Sequence, residues 1–264
     1  AHRGVHVLDR PEALLAMHEK LRTARTLAAA GIPHPTTVHV PAAGPVPAVP
    51  VPGVLKPRFG SWGRDVVRYD SREAFEDAVA WAATRVWWPG HGALAQELVD
   101  APSHDLRIVV ADSRAVGAAT RIARGGEWRT NVSLGARLVP TLLPGEAAAL
   151  AVAAVAAIGA DLGGVDLLEA PDSWVVLELN GAVDFDERYD QPGEDVFAGI
   201  ALALALPCAP ITPIREESTM PKTMQGEPAQ PGDVIEITGH AVGDAPRTAE
   251  IVEVIGSPDH EHFR

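Results

Sequence analysis

The chain has 264 residues, enough to bury a sizeable core and to hold one to two domains with some linker. Its formal charge of −13 and pI near 5.1 exclude a general nucleic-acid or anionic-membrane binder, which leaves a small molecule or a protein as the partner. A lone cysteine, Cys208, excludes an intramolecular disulfide and a thiolate metal cluster and suits a reducing cytoplasm.

In chain order, "DRPEALLAMHEKLRTARTLAAAGIPHPTT" predicts one helix or two short ones over roughly 11–30, with Asp9 as a possible cap, Pro11 in the first turn and "AGIPHP" as the stop. "VPAAGPVPAVPVPG" (40–53) is Pro-rich and extended, an edge segment at best. "GVLKPRFG" (53–60) reads as a strand entering the glycine loop "GSWGRDVVRYD", and "SREAFEDAVAWAATRV" (71–86) as a helix opened by Ser71. Residues 93–100, 104–112 and 114–124 read as strands. "TLLPGEAAALAVAAVAAIGAD" is a helix that starts near Pro144 and stops at Gly159, too short and too Ala-rich to span a bilayer. "GGVDLLEAPDSWVVLELN" (163–180) reads as an antiparallel hairpin and 194–206 as a buried helix. From 207 the chain reads as a linker, and from 232 as a small β module with period-two alternation.

Three features carry chemistry. Only three lysines occur, Lys20, Lys56 and Lys222, and Lys56 stands on a strand four residues before "GSWG". A Gly-x-x-Gly turn alone is ordinarily structural, but next to a strand lysine its amides can fold over phosphate oxygens. Asp166, Glu178 and Asn180 fall on two strands of one hairpin. Residues two apart on a strand share a face, so these three can converge as the all-oxygen set Mg²⁺ prefers; a turn-capping Asp166 and a solvated Glu178 explain them equally well. Arg107, Arg121 and Arg129, with Asn131 beyond, lie on or near adjacent strands. Surface ion pairing is the default for any one of them, and phosphate or carboxylate binding is the reading for the group.

The ordered series "EKL", "KPRFGSWG", "QELVD", "HDLR", "WRTN", "GVD" and "ELN" resembles the ATP-grasp superfamily and, within it, the RimK-like carboxylate–amine ligases, over about 9–206. The resemblance implies an α/β (α+β) fold: two subdomains, each a mainly antiparallel sheet with helices. Their expected ranges are 37–98 and 99–206, with 1–36 as a helical lead-in, 207–230 as a linker and 231–264 as an incomplete SH3-like module. It implies phosphate contacts from Lys20, where Glu19 replaces the usual Asp, and from Lys56, with Gly60, Ser61, Trp62 and Gly63 as the closing loop. Glu97, Leu98 and Val99 would meet adenine, Asp105 the ribose or another part of the nucleotide, and Arg107, Arg129 and Asn131 the reacting centre. Asp166, Glu178 and Asn180 would bind Mg²⁺ or Mn²⁺.

The implied reaction is ATP-dependent amide formation between a carboxylate and an amine, each a small molecule or a peptide, in the cytoplasm. Kinase-like phosphotransfer and a regulatory nucleotide binder without turnover are the alternatives. No nucleic acid or membrane is expected; homo-oligomerisation and a protein partner docked on the C-terminal module stay open. Two departures stand out. The family's small N-terminal domain is not seen ahead of residue 1, and "GAVDFDERYD" replaces the usual segment after Glu-x-Asn, with Asp184, Asp186, Glu187 and Asp190 expected to be mainly solvated. In the tail, the spacing of His240, His260 and His262 is poor for a metal site.

Overall fold

The computed structural model describes residues 8–206 and, as backbone alone, four strands between 234 and 263. Packing divides the chain into two units, Ala1–Cys208 and Ala209–Arg264. In the smaller one, β10 (Val234–Ile237) pairs antiparallel with β11 (Arg247–Glu250), and β12 (Val254–Ser257) with β13 (His260–Phe263). The expected linker and the barrel-like character of the tail, with the side chains of His240, His260 and His262, lie outside the described residues. No helix of the described residues is long and apolar enough to cross a membrane.

The N-terminal segment forms two helices, α1 (Pro11–His18) and α2 (Lys20–Ala29), broken at Glu19. Glu19 adopts extended dihedrals, and its carboxylate accepts from the Leu21 and Arg22 amides, satisfying two donors that a helix start leaves open. The Arg58 guanidinium holds the same carboxylate at 3.0 Å. Glu19 thus caps the helix in place of a shorter acid, and it sets Lys20 at the head of α2.

The first sheet has the order β1-β4-β2-β3 and is antiparallel throughout: β1 is Thr37–Val40, β2 Gly53–Pro57, β3 Val67–Tyr69 and β4 Ala93–Glu97. One face buries Val40, Leu55, Tyr69, Ala93 and Ala95 against Phe75, Ala78 and Ala82 of α3 (Arg72–Ala82) and Trp88 of α4 (Trp88–His91). Ser71 caps α3 as expected, but the helix ends at Ala82 instead of running on to residue 86. Arg85 and Trp87 instead donate to the Asp65 carboxylate at 2.9 and 2.8 Å, tying the post-helical turn to the glycine loop. The first strand also lies ahead of the proline run, because a segment so poor in amide donors cannot sustain a ladder.

The second sheet has the order β7-β6-β5-β8-β9: β5 is His104–Ala111, β6 Arg114–Ile122, β7 Arg137–Pro140, β8 Leu162–Glu169 and β9 Trp174–Asn180. All its pairings are antiparallel, as the α+β reading requires. One face buries Leu106, Ile108, Val110, Val165, Leu167 and Leu179 under α5 (Gly145–Ile158). Each such side chain contributes about 1.5–3 kcal/mol. Ala13, Met17 and Leu27 of α1 and α2 belong to the same core, so the N-terminal helices are built into the second sheet's layer. The opposite face is covered at one end by Tyr189 and by Val196 and Ile200 of α6 (Val196–Ala203). There Gly117 is required by contact, since a Cβ would stand 2.7 Å from the Tyr189 carbonyl oxygen. The uncovered end of this face carries the polar residues of interest.

Candidate active site

Antiparallel register decides which polar residues meet. Arg107 stands opposite Asp166, Asp166 opposite Glu178, and Asp105 opposite Arg121. With the period of two, Asp105, Arg107, Arg121, Asp166, Glu178 and Asn180 share one face of the second sheet. Arg107 grips Asp166 with two parallel bonds, Nε to Oδ1 at 2.7 Å and Nη2 to Oδ2 at 2.9 Å, and Arg121 Nη2 reaches Asp166 Oδ2 at 2.8 Å. Arg121 Nε also donates to Asp105 Oδ1 at 2.7 Å, and Thr130 Oγ1 donates to Asp105 Oδ2 at 2.6 Å. Burial alone pushes Asp166 up, but the two guanidinium groups outweigh it and hold the carboxyl far below the usual range.

Asp105 is 1% exposed and both its oxygens are engaged by Arg121 and Thr130. A short polar residue at the start of a strand looks solvent-facing in sequence; the arginine sixteen residues later on the neighbouring strand buries it.

Two lysines stand near this row, Lys20 from α2 and Lys56 from the first sheet. Lys20 Nζ lies 3.0 Å from Glu178 Oε1 and also donates to the Gly60 carbonyl. Lys56 is buried, and its ammonium donates at 2.7 Å to Gln96 Oε1. Burial pushes Lys56 down to about 8, Lys20 adds to that, and Glu178 and Asp166 oppose it. Lys20, His34, Lys56, Gln96, Val176 and Glu178 line one cleft between the sheets.

The glycine loop closes the site from one side. Gly60, Trp62, Gly63 and Asp65 all have positive φ, at 133°, 63°, 66° and 57°. A Cβ on Gly63 would sit 2.4 Å from Asn131 Oδ1, so only glycine permits this approach. Arg129 Nη1 donates to the Gly63 carbonyl at 2.9 Å, and Ser133 Oγ to that of Trp62 at 3.1 Å. Hence the loop is docked on Arg129 and Asn131; the remaining Arg129 donors go to Glu127. At the end of β4, Glu97 N–H donates to the Thr36 carbonyl and Leu98 N–H to that of Pro52. Among the described residues the Val99 amide has no backbone acceptor.

Asp166, Glu178 and Asn180 are an all-oxygen set side by side, which fits Mg²⁺ in kind. Among the described residues no group of three His, Cys, Asp or Glu side chains could hold a metal ion. The acidic stretch after Asn180 is partly structural. Asp186 pairs with Arg188, and Asp190 accepts from the Val196 amide at 2.9 Å, while Asp184 and Glu187 are exposed. The sequence reading left Gln96 and Thr130 out of the site and gave Arg121 no role beyond its arginine group; strand alternation was the available signal, since Gln96 shares a face with Lys56 and Arg121 with Arg107.

A family model described as the RimK-like ATP-grasp domain matches residues 17–203. A probable alpha-L-glutamate ligase of Haemophilus influenzae is 28% identical over 204 residues, 75% of this chain and 66% of that protein. The tetrahydromethanopterin:alpha-L-glutamate ligase of Methanosarcina acetivorans is 30% identical over 176 residues, 63% of this chain and 54% of that protein. The chain therefore spans just under two thirds of the first relative's length and about half of the second's. Among solved structures, the ATP-grasp ligase PsnB with its minimal precursor superposes with a TM-score of 0.53 at 20% identity, covering 77% of this chain and 64% of that one. A RimK domain ATP-grasp protein from Sphaerobacter thermophilus gives 0.52 at 22% identity, covering 76% and 72%. These likenesses establish the shared fold.

Proposed function

This chain belongs to the RimK-like ATP-grasp family, and on that premise we propose that it joins a carboxylate to an amine at the expense of ATP. A carboxylate oxygen takes the γ-phosphoryl group, ADP leaves, and the amine nitrogen attacks the acyl carbon. Phosphate then departs and the nitrogen loses a proton. The observation that carries this reading is that Lys20 of α2, Lys56 of the first sheet and Glu178 of the second line one cleft, with Asp166 and Asn180 beside Glu178 on the same sheet face. The names of the relatives, ligases of glutamate, support the reaction class.

In this reading Lys20 exchanges Glu178 for phosphate oxygens and Lys56 meets the same polyphosphate. The amides of Gly60, Ser61, Trp62 and Gly63 cover it, and the Glu97–Leu98–Val99 backbone meets the base, with the Val99 amide as donor. Arg107, Arg129 and Asn131 border the reacting phosphoryl group. Mg²⁺, or Mn²⁺ in its place, held by Glu178, Asn180 and Asp166, supplies charge neutralisation on that group. Asp166 is already neutralised by two arginines, so Glu178 is the principal charge offered to the cation. A cytoplasmic location, with residues from 231 onward as a docking module for a protein or ligand, completes the proposal.

The test is ADP release in a screen of amino acids, peptides and polyamines. Amine-dependent product supports ligation, and nucleotide binding without any turnover sinks it. Glu178→Ala is expected to abolish Mg²⁺-dependent ATP turnover while the protein stays folded; unchanged turnover refutes the metal assignment.

A further inference from the structure

Lys56 is the most buried cation of the cleft's first wall, and a lysine so placed normally has a carboxylate partner. Here its ammonium donates to a neutral amide, Gln96 Oε1, at 2.7 Å. Gln96 is itself 6% exposed, and its Nε2 donates at 2.9 Å to Thr37 Oγ1, which in turn donates to the Pro35 carbonyl at 2.9 Å. The row follows from register: Thr37 and Val54 flank Gln96 on β1 and β2, so the three share a face, and Lys56 is the diagonal neighbour on that face. The relay orients the amide with its oxygen toward Lys56, because its nitrogen is spoken for by Thr37.

We propose that Gln96 is a positioning residue of the nucleotide site: its anchored neutral amide aims the Lys56 ammonium at the cleft without cancelling its charge. This rests on the ATP-dependent reading above. A glutamate at position 96 would make the same contact as an ion pair, and an incoming polyphosphate would then have to compete with a resident carboxylate. The amide makes one hydrogen bond and leaves the charge for the ligand. The other charged groups facing Lys56 are Lys20 at the head of α2, Glu178 on β9 and Asp166 on β8, with His34 lining the same cleft. Of these, Asp166 is paired with Arg107 and Arg121, and Glu178 with Lys20. Burial pushes Lys56 down to about 8, so in the empty site it is partly discharged near that pH. A bound polyphosphate favours the charged form, and binding therefore draws in a proton.

The experiment is calorimetric titration of the full chain with Mg·ADP near pH 8, in two buffers of different ionisation enthalpy. The wild type is expected to take up a fraction of a proton per nucleotide and to lose affinity as the pH rises through the titration of Lys56. Gln96→Glu is expected to hold Lys56 charged in the empty site, to remove the uptake and to weaken binding roughly tenfold. Gln96→Met removes the acceptor without adding a charge, so it is expected to keep or enlarge the uptake while weakening binding; this variant decides the matter should Gln96→Glu fail to fold. Wild-type affinity together with wild-type proton uptake in the folded variants overturns the role of Gln96 and leaves the ATP-dependent reading standing. No binding of Mg·ADP by the wild type overturns that reading and the inference with it.

Discussion

The two walls of the cleft handle charge in opposite ways. On the second sheet, Asp105, Arg121, Asp166 and Arg107 form a closed row in which each charge meets an opposite one and all are largely shielded from water. On the first sheet, Lys56 is buried against a neutral amide, and the glycine loop beside it holds its backbone in the left-handed region by docking on Arg129, Asn131 and Ser133. One wall is therefore a finished electrostatic structure, stable because of its pairing. The other keeps an uncompensated cation and a strained loop, which cost stability and are useful only to a ligand that supplies negative charge.

Breaking the second wall should produce the largest loss. Arg121→Met leaves Asp105 without its guanidinium and takes one of two from Asp166, both buried, and is expected to cost about 3–5 kcal/mol in urea unfolding. A cost comparable to that of a surface ion pair would dissolve the contrast.

The first wall should respond inversely. Lys56→Met is expected to weaken Mg·ADP binding by roughly ten- to a hundredfold while leaving the fold as stable as the wild type, or more so, at pH 7. The sign follows from the lowered pKa: between about 8 and its ordinary value of 10.5 the unfolded chain binds more protons at Lys56 than the folded one, so wild-type stability rises across that window. The stability difference between variant and wild type should therefore shrink as the pH is raised from 8 to 10.5, measured by paired denaturation curves. A constant difference would mean that Lys56 is not desolvated.

The smallest effect sharpens the role of the loop. Gly63→Ala imposes a side chain at φ 66° and against Asn131, and is expected to cost about 1–2 kcal/mol and to raise proteolytic nicking within 60–65. Unchanged protease resistance would show that the loop's docking on Asn131 is not what holds it.

Much of the scaffold was legible because it depends on local chemistry. Ser71 opens α3, Gly159 in the left-handed region ends α5, and the "APDS" turn divides β8 from β9, each at or within a residue or two of its expected place. The short strands β3 and β7 were not legible: three or four residues carry too little periodicity, and they exist only because β2 and β6 offer them a ladder. The break at Glu19 likewise needed Arg58, thirty-nine residues away, to hold the capping carboxylate.

Sequence by itself determined the inventory of the site. Two lysines among an arginine-rich cation set, a glycine loop after a strand, and acids and an asparagine at strand spacing named the candidate residues, because periodicity and residue type are written along the chain, and the order of their motifs carried the resemblance to the family. Tertiary structure alone decided how those groups are spent. That Asp105 faces Arg121, that Glu178 holds Lys20, and that Lys56 meets an amide and not an acid all follow from strand register and burial. Both are set by packing between segments tens of residues apart, where a single-residue slip would exchange the faces of a strand.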